Sequence, residues 1–214
     1  MSSPEVVIVD YGSGNLLSVQ RALEYCGASV VVTSSAEKIL SASRVILPGV
    51  GAFANAMQAL SDLGLVSPLR LLDTKKTPLL GICLGMQLLL DESEEFGINP
   101  GLGLIPGRVI SLPVHDIVDK SHKIPHIGWS NLLPSTQNIS DDDLLSGIRP
   151  NDSFYFVHSF MTNVIDPNCN IAHCVYGGHN IPAVIKKDLI MGCQFHPEKS
   201  GESGLKILKN FISL

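Results

Sequence analysis

The stretch Leu79-Leu80-Gly81-Ile82-Cys83-Leu84-Gly85-Met86-Gln87 decides the fold class and points to the chemistry. Leu79 to Ile82 is a short apolar run typical of a buried strand, and Cys83 to Glu95 follows a helical pattern. The glycines two residues before and after Cys83 leave room for a sharp turn between strand and helix. The pattern predicts the cysteine form of a nucleophile elbow, which lifts the Cys83 sulfur above the edge of a sheet.

Three features of such an elbow favour nucleophilic chemistry at Cys83. The N-terminus of the following helix carries partial positive charge, which favours the thiolate. The backbone N–H of Leu84 would point at a developing oxyanion. Gln87 lies four residues on, on the same helical face, where its amide would meet a bound substrate. The alternative is a buried cysteine that only opens a packed helix.

The elbow lies within a regular alternation of strands and helices. Strands are predicted at Val6–Asp10, Ser29–Thr33 and Val45–Leu47, and helices at Asn15–Cys26, Ala36–Ala42, Ala52–Leu63 and Pro68–Asp73. In the second half, strands are predicted at Val109–Val114, Phe154–Phe160, Ile171–Tyr176, Ala183–Lys187 and Ile190–Phe195, before a helix at Gly204–Leu214. We expect one α/β domain over residues 1–214, an open, mostly parallel twisted sheet flanked by helices, with additional antiparallel strands in the C-terminal half.

A second motif, Gln194-Phe195-His196-Pro197-Glu198, supplies a candidate base and the carboxylate that orients it. Pro197 favours an extended His196, and side chains two apart in an extended chain point the same way. His196 and Glu198 therefore suit a general base and its partner, although a surface histidine beside a surface glutamate is the alternative. Active sites of open parallel sheets lie at the C-terminal strand ends, so Cys83 and His196 can meet there.

Two glycine turns follow other predicted strands. Pro48-Gly49-Val50-Gly51 is not followed by Gly-Lys-Ser/Thr, so it is not a phosphate-binding loop, and one of its N–H groups would serve as a second oxyanion donor. Gly12-Ser13-Gly14-Asn15 lacks the third glycine of a dinucleotide fingerprint.

Composition excludes several function classes. The net charge is −5 and no basic run occurs, so we expect no nucleic-acid surface. The N-terminus lacks a signal-peptide pattern and no uncharged stretch is long enough to span a membrane, so we expect a cytoplasmic protein. Five cysteines without a Cys-x-x-Cys argue against a disulfide framework.

We expect no metal ion and no cofactor. Cys169, His173, Cys174 and His179 lie close in sequence, but His173 and Cys174 are adjacent on a predicted strand and would point to opposite faces. The acidic run Asp141 to Asp143 is interpreted as a solvated helix start or turn.

The chain resembles the class I, or triad-type, glutamine amidotransferases, and within them the glutaminase subunits of imidazole glycerol phosphate synthase, a histidine-biosynthesis enzyme. The Cys83 elbow and the His196-Pro197-Glu198 motif are shared by all triad amidotransferases. The subfamily's marks are the Asp10 to Leu16 start, the Pro48 to Gly51 turn and Pro125-His126-Ile127-Gly128-Trp129. The subfamily usually has Asn directly after that Trp, whereas here Ser130 intervenes before Asn131.

The resemblance implies a role for each matching residue. Cys83, His196 and Glu198 would form the catalytic triad, and N–H groups of Leu84 and near Val50 the oxyanion hole. Gly49, Gln87, Glu95, Ser159 and Phe160 would hold L-glutamine, and Asn15 and Trp129 would lie toward the synthase partner.

A partner is expected because the motifs use the whole chain and leave no second domain to accept ammonia. The resemblance implies a cyclase subunit of barrel fold, in a heterodimer that makes imidazole glycerol phosphate and an aminoimidazole carboxamide ribonucleotide. It also implies a glutaminase that stays nearly silent until the cyclase binds its ligand, with the Pro48 to Gly51 turn flipping to complete the oxyanion hole. The alternatives are an ammonia-supplying subunit for a sugar amidotransferase in surface polysaccharide synthesis, a cysteine peptidase-like hydrolase and a non-catalytic binding subunit.

Overall fold

The first half of the chain alternates strands and helices, as the sequence predicts. The computed structural model describes residues 4–135 and 142–214. Its first elements are β1 (Glu5–Val9), α1 (Leu16–Tyr25), β2 (Ser29–Thr33), α2 (Ala36–Ser41), β3 (Val45–Gly49), α3 (Phe53–Asp62), α4 (Val66–Lys75), β4 (Leu79–Cys83) and α5 (Leu84–Leu88).

Strands dominate the rest of the described chain. They are β5 (Glu92–Ser93), β6 (Asn99–Pro100), β7 (Gly107–Ser111), β8 (His126–Asn131), β9 (Leu133–Pro134), β10 (Ser153–His158), β11 (Phe160–Val164), β12 (Asn170–Tyr176), β13 (His179–Lys187) and β14 (Ile190–Cys193), followed by helix α6 (Gly201–Ser213). Short 3-10 turns lie at Asp143–Leu145, Pro167–Cys169 and Pro197–Lys199.

The largest sheet has the strand order β2-β1-β3-β4-β14-β13-β12-β9. The first five of these strands run parallel, and β13, β12 and β9 continue the sheet antiparallel. β8 and β10 form a separate antiparallel pair, and β11, β7, β5 and β6 form a third sheet. The predicted fold class, a mostly parallel sheet with antiparallel additions from the C-terminal half, is confirmed.

Helices pack on both faces of the large sheet. Successive side chains of a strand point to opposite faces, so each strand contributes apolar residues to both sides. In β1, Val6 and Ile8 belong to one apolar cluster, and Val7 and Val9 belong to the other. The first cluster takes apolar residues from α1 and α6, and the second takes them from α2, α3 and α4.

The predicted helix from Cys83 to Glu95 is wrong in its second half, since α5 ends at Leu88. Backbone carbonyls that would continue the helix are taken by a distant segment. Leu88 O accepts from Leu102 N, and Leu89 O accepts from Leu104 N and Ile105 N. The helix therefore ends where the segment Leu102 to Ile105 donates hydrogen bonds to its carbonyl groups, although the local sequence pattern is helical.

The predicted strand from Phe154 to Phe160 is two strands in two different sheets. β10 pairs with β8, β11 pairs with β7, and Ser159 lies between them, its carbonyl accepting from Leu112 N at 2.9 Å. The prediction also missed β8 and placed Pro48 and Gly49 in a turn, although both lie in β3. These errors share a cause, since strand pairing depends on partners far away in sequence.

The structure also bears on the acidic run, the cysteines, and the search for membrane-spanning helices and metal-binding clusters. Asp142 caps the turn that begins at Asp143 and lies 2.7 Å from Lys186, so it is paired rather than freely solvated, while Asp141 lies outside the described residues. The five cysteines are free thiols. Over residues 4–135 and 142–214, no helix is long and apolar enough to cross a membrane, and no three His, Cys, Asp or Glu are grouped to hold a metal ion.

Candidate active site

The turn between β4 and α5 is a strained elbow centred on Cys83. Cys83 has φ 55° and ψ −110°, in the positive-φ region that residues other than glycine rarely adopt. A Cβ on Gly85 would lie 1.8 Å from Leu47 O, and one on Gly81 would lie 2.5 Å from Gly85 O. Only glycine fits at both positions, so the chain makes the sharp strand-to-helix turn at Cys83 that the sequence predicts, and the role of Cys83 as nucleophile stays a prediction.

His196 and Glu198 meet as predicted, but by a different backbone path. His196 Nδ1 lies 2.8 Å from Glu198 Oε1, with both side chains almost fully buried. β14 ends at Cys193, and Glu198 lies in the 3-10 turn Pro197–Lys199 rather than in extended chain. Hydrogen bonds from His196 N to Tyr155 O and from Ser200 Oγ to His196 O fix the base from both sides of its backbone.

The surroundings of His196 raise the pKa of its ring. Burial alone would lower its pKa, but interactions with Cys83 and Glu198 outweigh burial and raise the pKa to about 9. At neutral pH His196 is therefore an imidazolium whose Nδ1 is bound to Glu198. An imidazolium at this position can act as the acid that protonates a leaving group.

A cavity of about 380 Å³ opens over Cys83 and is lined by Val50, Gly51, Cys83, Leu84, Gln87, Glu95, Pro125, Val157, His158, Ser159, Phe160 and His196. Its volume lies within the usual range of small-molecule sites, about 300–1,000 Å³. The structure thus brings together most of the site residues predicted from the sequence. Gly49 pairs with Cys83 across β3 and β4 beneath the cavity and does not line it.

A larger cavity, of about 660 Å³, is lined by residues of β5, β7 and β11 and of the segments beside them, including the charged Asp91, Glu92, Glu94 and Arg108. It contains no member of the Cys83–His196–Glu198 group. The smaller cavity is the candidate site, because it holds the nucleophile and the base.

Two glutamine side chains connect the cavity wall to the nucleophile. Gln87 Nε2 donates to Phe160 O at 3.2 Å and to Gln194 Oε1 at 3.0 Å. Gln194 Nε2 in turn donates to Cys83 Sγ at 3.7 Å. Both amide hydrogens of Gln87 are thus used within the protein, which leaves its Oε1 to contact a substrate. The prediction named Gln87 but missed Gln194, although it lies in the quoted His196 motif.

Glu95 reaches the cavity from the segment that follows α5. Its Oε2 accepts from the backbone N–H of Phe53 at 2.6 Å, at the start of α3. Ser159 and Phe160 form another part of the wall, where the chain leaves β10 and enters β11. A carboxylate and backbone groups around one cavity suit a zwitterionic ligand.

The turn after β3 is held by the loop after β1. Ser13 Oγ donates to Val50 O at 2.6 Å and lies 3.3 Å from Val50 N, which donates to it. Tyr11, also buried, donates its hydroxyl to Pro48 O at 2.8 Å. The Val50 N–H is thus occupied by Ser13 instead of pointing at an oxyanion. The sequence pattern places Ser13 in a glycine turn but does not predict its contact with Val50.

The two residues predicted to face a partner lie outside the cavity. Asn15 is exposed and caps α1, accepting from Ser18 N at 3.4 Å. Trp129 projects from β8 with 57% of its surface exposed, edge-on to Tyr155. Next to it, Ser130 lies 3.2 Å from the ring of the buried His126. Their predicted contact with a partner remains a prediction.

Comparison with known proteins agrees with this geometry. The profile of the family described as "Glutamine amidotransferase class-I" matches residues 7–214. The chain is a class I glutamine amidotransferase. This amidotransferase is 50% identical over 211 residues to the protein named imidazole glycerol phosphate synthase subunit HisH 1 of Legionella pneumophila strain Lens, covering 98% of this chain and 99% of the relative.

Other relatives give the same picture. The subunit HisH of Caldanaerobacter subterraneus subsp. tengcongensis is 47% identical over 204 residues, with 95% of both chains covered. Among solved structures, a chain of PurLQS from Thermotoga maritima matches the amidotransferase with a TM-score of 0.72 at 18% identity, covering 99% of both chains. At that identity the match shows the fold alone.

Proposed function

We propose that this amidotransferase is the glutaminase subunit of an imidazole glycerol phosphate synthase, that it hydrolyses L-glutamine to glutamate and ammonia, and that residues 1–214 form one domain. The observation that carries the proposal is the elbow at Cys83 with His196 and Glu198 at one cavity. The relatives named HisH, which match nearly the whole chain, support the choice of synthase.

The reaction follows from the groups around the cavity. The Cys83 thiolate attacks the side-chain amide carbon of glutamine. The oxyanion that forms is stabilised by the backbone N–H of Leu84 and, once the turn after β3 has rotated away from Ser13, by that of Val50. His196 donates its proton to the departing nitrogen, so the C–N bond breaks and ammonia leaves. His196 then takes a proton from water, whose oxygen displaces Cys83 from the glutamyl thioester to release glutamate. Glu198 holds Nδ1 throughout, which aims Nε2 at the reacting atoms.

The substrate would be held by the groups already described at the cavity. Glu95 and the Gln87 Oε1 are acceptors for the ammonium group of glutamine, and the backbone N–H groups at Ser159 and Phe160 are donors for its carboxylate. Gly49 contributes by letting β3 approach the start of α5 closely, since a Cβ there would lie 3.0 Å from Gly85 N.

Ammonia would pass to a cyclase partner of barrel fold, docked on the side that carries Asn15 and Trp129. The exposed Trp129 and the neighbouring Ile127, 57% and 53% exposed, support an apolar interface on β8. The activity would take place in the cytoplasm, without nucleic acid or membrane.

Replacing the nucleophile tests the proposal. The Cys83→Ala subunit, combined with the cyclase, should lose glutamine-dependent product formation, because no thioester can form. The same complex should still form product from added ammonium, which needs only the cyclase. Cys26→Ala is the matched control, since Cys26 lies at the C-terminal end of α1, outside the cavity, where its thiol contacts Leu205. Glutamate release by the Cys83→Ala complex would refute the proposal.

A further inference from the structure

Three side chains of β8 and β10 form a continuous line of hydrogen bonds that the reaction above does not use. His126 Nε2 lies 3.2 Å from Ser130 Oγ, and His126 Nδ1 lies 3.0 Å from His158 Nε2. His158 Nδ1 lies 2.8 Å from Phe160 O. Both rings are buried, at 2% and 6% exposure. The line runs from the strand that carries Trp129 to the wall of the glutamine cavity.

The acceptor at the end of this line fixes where every proton lies. A carbonyl oxygen only accepts, so the proton of His158 is on Nδ1. The Nε2 of a neutral His158 is then an acceptor, and His126 must donate to it from Nδ1. His126 Nε2 is left to accept from the Ser130 hydroxyl. All three hydrogen bonds therefore point toward Phe160, and bonds aligned in this way strengthen one another.

The neighbours of the two rings keep them neutral. Desolvation lowers the pKa of His126 to about 4, with a smaller effect of His122. Desolvation also lowers the pKa of His158 to about 4 despite its bond to Phe160, and His126 and His196 add to the effect. The His126 ring stacks between Phe156 and Tyr176, at centroid distances of 5.1 and 4.1 Å, which fixes its plane.

The line ends at the junction that forms the cavity wall. Phe160 O accepts from both His158 Nδ1 and Gln87 Nε2, which occupies the two acceptor positions of the carbonyl. Ser159 O accepts from Leu112 N at 2.9 Å. The peptide groups of this junction are held by the protein itself, so they present a fixed surface to a ligand.

We propose that His126 and His158 are positioning residues for glutamine, whose hydrogen-bond line from Ser130 holds the Ser159–Phe160 junction in the orientation that binds the substrate. This inference rests on the proposed function. Neither ring exchanges a proton with substrate. Histidine suits the task because one buried ring donates on one edge and accepts on the other.

The tautomers of the two rings are a direct test on the unmodified protein. Nitrogen-15 NMR of the histidine rings at neutral pH should show His126 and His158 as neutral rings protonated on Nδ1, with the exposed His115 as a reference signal. A proton on Nε2 of either ring, or a charged ring, would overturn the proposal.

A pair of variants tests the effect on glutamine, measured in the complex with the cyclase. His126→Phe keeps an aromatic ring in the stack and removes the donor, so KM for glutamine should rise about threefold to tenfold, the size of one neutral hydrogen bond, with kcat within about twofold. His126→Asn keeps an N–H near the position of Nδ1 and should restore most of the affinity.

The outcomes of the variant test separate the positioning role of His126 from the proposed function. An unchanged KM in His126→Phe, or a loss confined to kcat, contradicts the proposal, and if the variant does not fold, the tautomer measurement decides alone. Absence of glutaminase activity in the unmodified complex would instead refute the proposed function, and the tautomers would still report on the hydrogen-bond line.

Discussion

At the scale of residues, the proton on His196 sets the chemistry of the site. Its Nδ1 is bound to Glu198 at 2.8 Å in nearly complete burial, and the pKa of the ring is raised to about 9. Two other buried histidines, His158 in the cavity wall and His126 hydrogen-bonded to it, have pKa values lowered to about 4. Neighbouring buried imidazoles thus differ in protonation state, because only His196 interacts with Cys83 and with a carboxylate, Glu198.

Glu198→Gln should separate the charge of the partner from its hydrogen bond. The amide oxygen still accepts from Nδ1, but the lost negative charge leaves burial less opposed, so the pKa of His196 should fall from about 9 toward its ordinary value of 6.5. The glutaminase kcat should fall roughly 100-fold, the usual contribution of acid–base catalysis. NMR titration and steady-state kinetics measure the two effects. Glu202→Gln, exposed on α6, is the control. An unchanged titration would contradict the assignment.

At the scale of elements, the turn after β3 has a conformation in which it cannot stabilise an oxyanion. The Val50 N–H donates to Ser13, so it is unavailable to an oxyanion until the turn rotates. Breaking the hydrogen bond between Val50 and Ser13 is therefore the step by which we expect a partner to activate the glutaminase.

Ser13→Ala should release that turn. Without the hydroxyl, the turn loses two hydrogen bonds to the β1–α1 loop, and the partner-free glutaminase rate should rise about threefold to tenfold. Rates with and without cyclase and its nucleotide ligand, for both proteins, measure the change. Ser61→Ala, on the exposed side of α3, is the control. Equal rates with and without the partner in the unmodified protein would refute gating altogether.

The elements that could be predicted from the sequence are those decided by local chemistry. The elbow follows from Gly81, Cys83 and Gly85, and its geometry matches. The end of α5 at Leu88 and the division of β10 from β11 at Ser159 were predicted wrongly, because carbonyls there bond to segments far away in sequence. For the same reason the Ser13–Val50 contact and the His126–His158 pair are visible only in three dimensions.

At the scale of the whole molecule, the histidines with shifted pKa values make the free energy of unfolding fall at both acidic and alkaline pH. The pKa values of His126 and His158 are depressed to about 4, so the unfolded chain binds protons first, and stability falls as pH drops from 6.5 to 4. The pKa of His196 is raised to about 9, so its stabilisation is complete below pH 6.5 and is lost as pH rises through 9.

Denaturant unfolding between pH 4 and pH 9.5 measures this dependence. The free energy of unfolding should be greatest near pH 6.5. His126→Phe should flatten the acid side by roughly 2 kcal/mol between pH 6.5 and pH 4, the linkage expected for one strongly shifted histidine. Glu198→Gln should flatten the alkaline side instead. Parallel curves for the unmodified protein and both variants would contradict the pKa assignments.

The place of β14 in the large sheet has a consequence for synthesis on the ribosome. β14 is the last strand of the chain, yet it lies between β4 and β13, beside the strand that delivers Cys83. A nascent chain that has emerged only as far as β11 carries the nucleophile and the cavity wall without His196. A chain cut before β14 therefore has the nucleophile without the base that glutamine hydrolysis requires, and it cannot release ammonia.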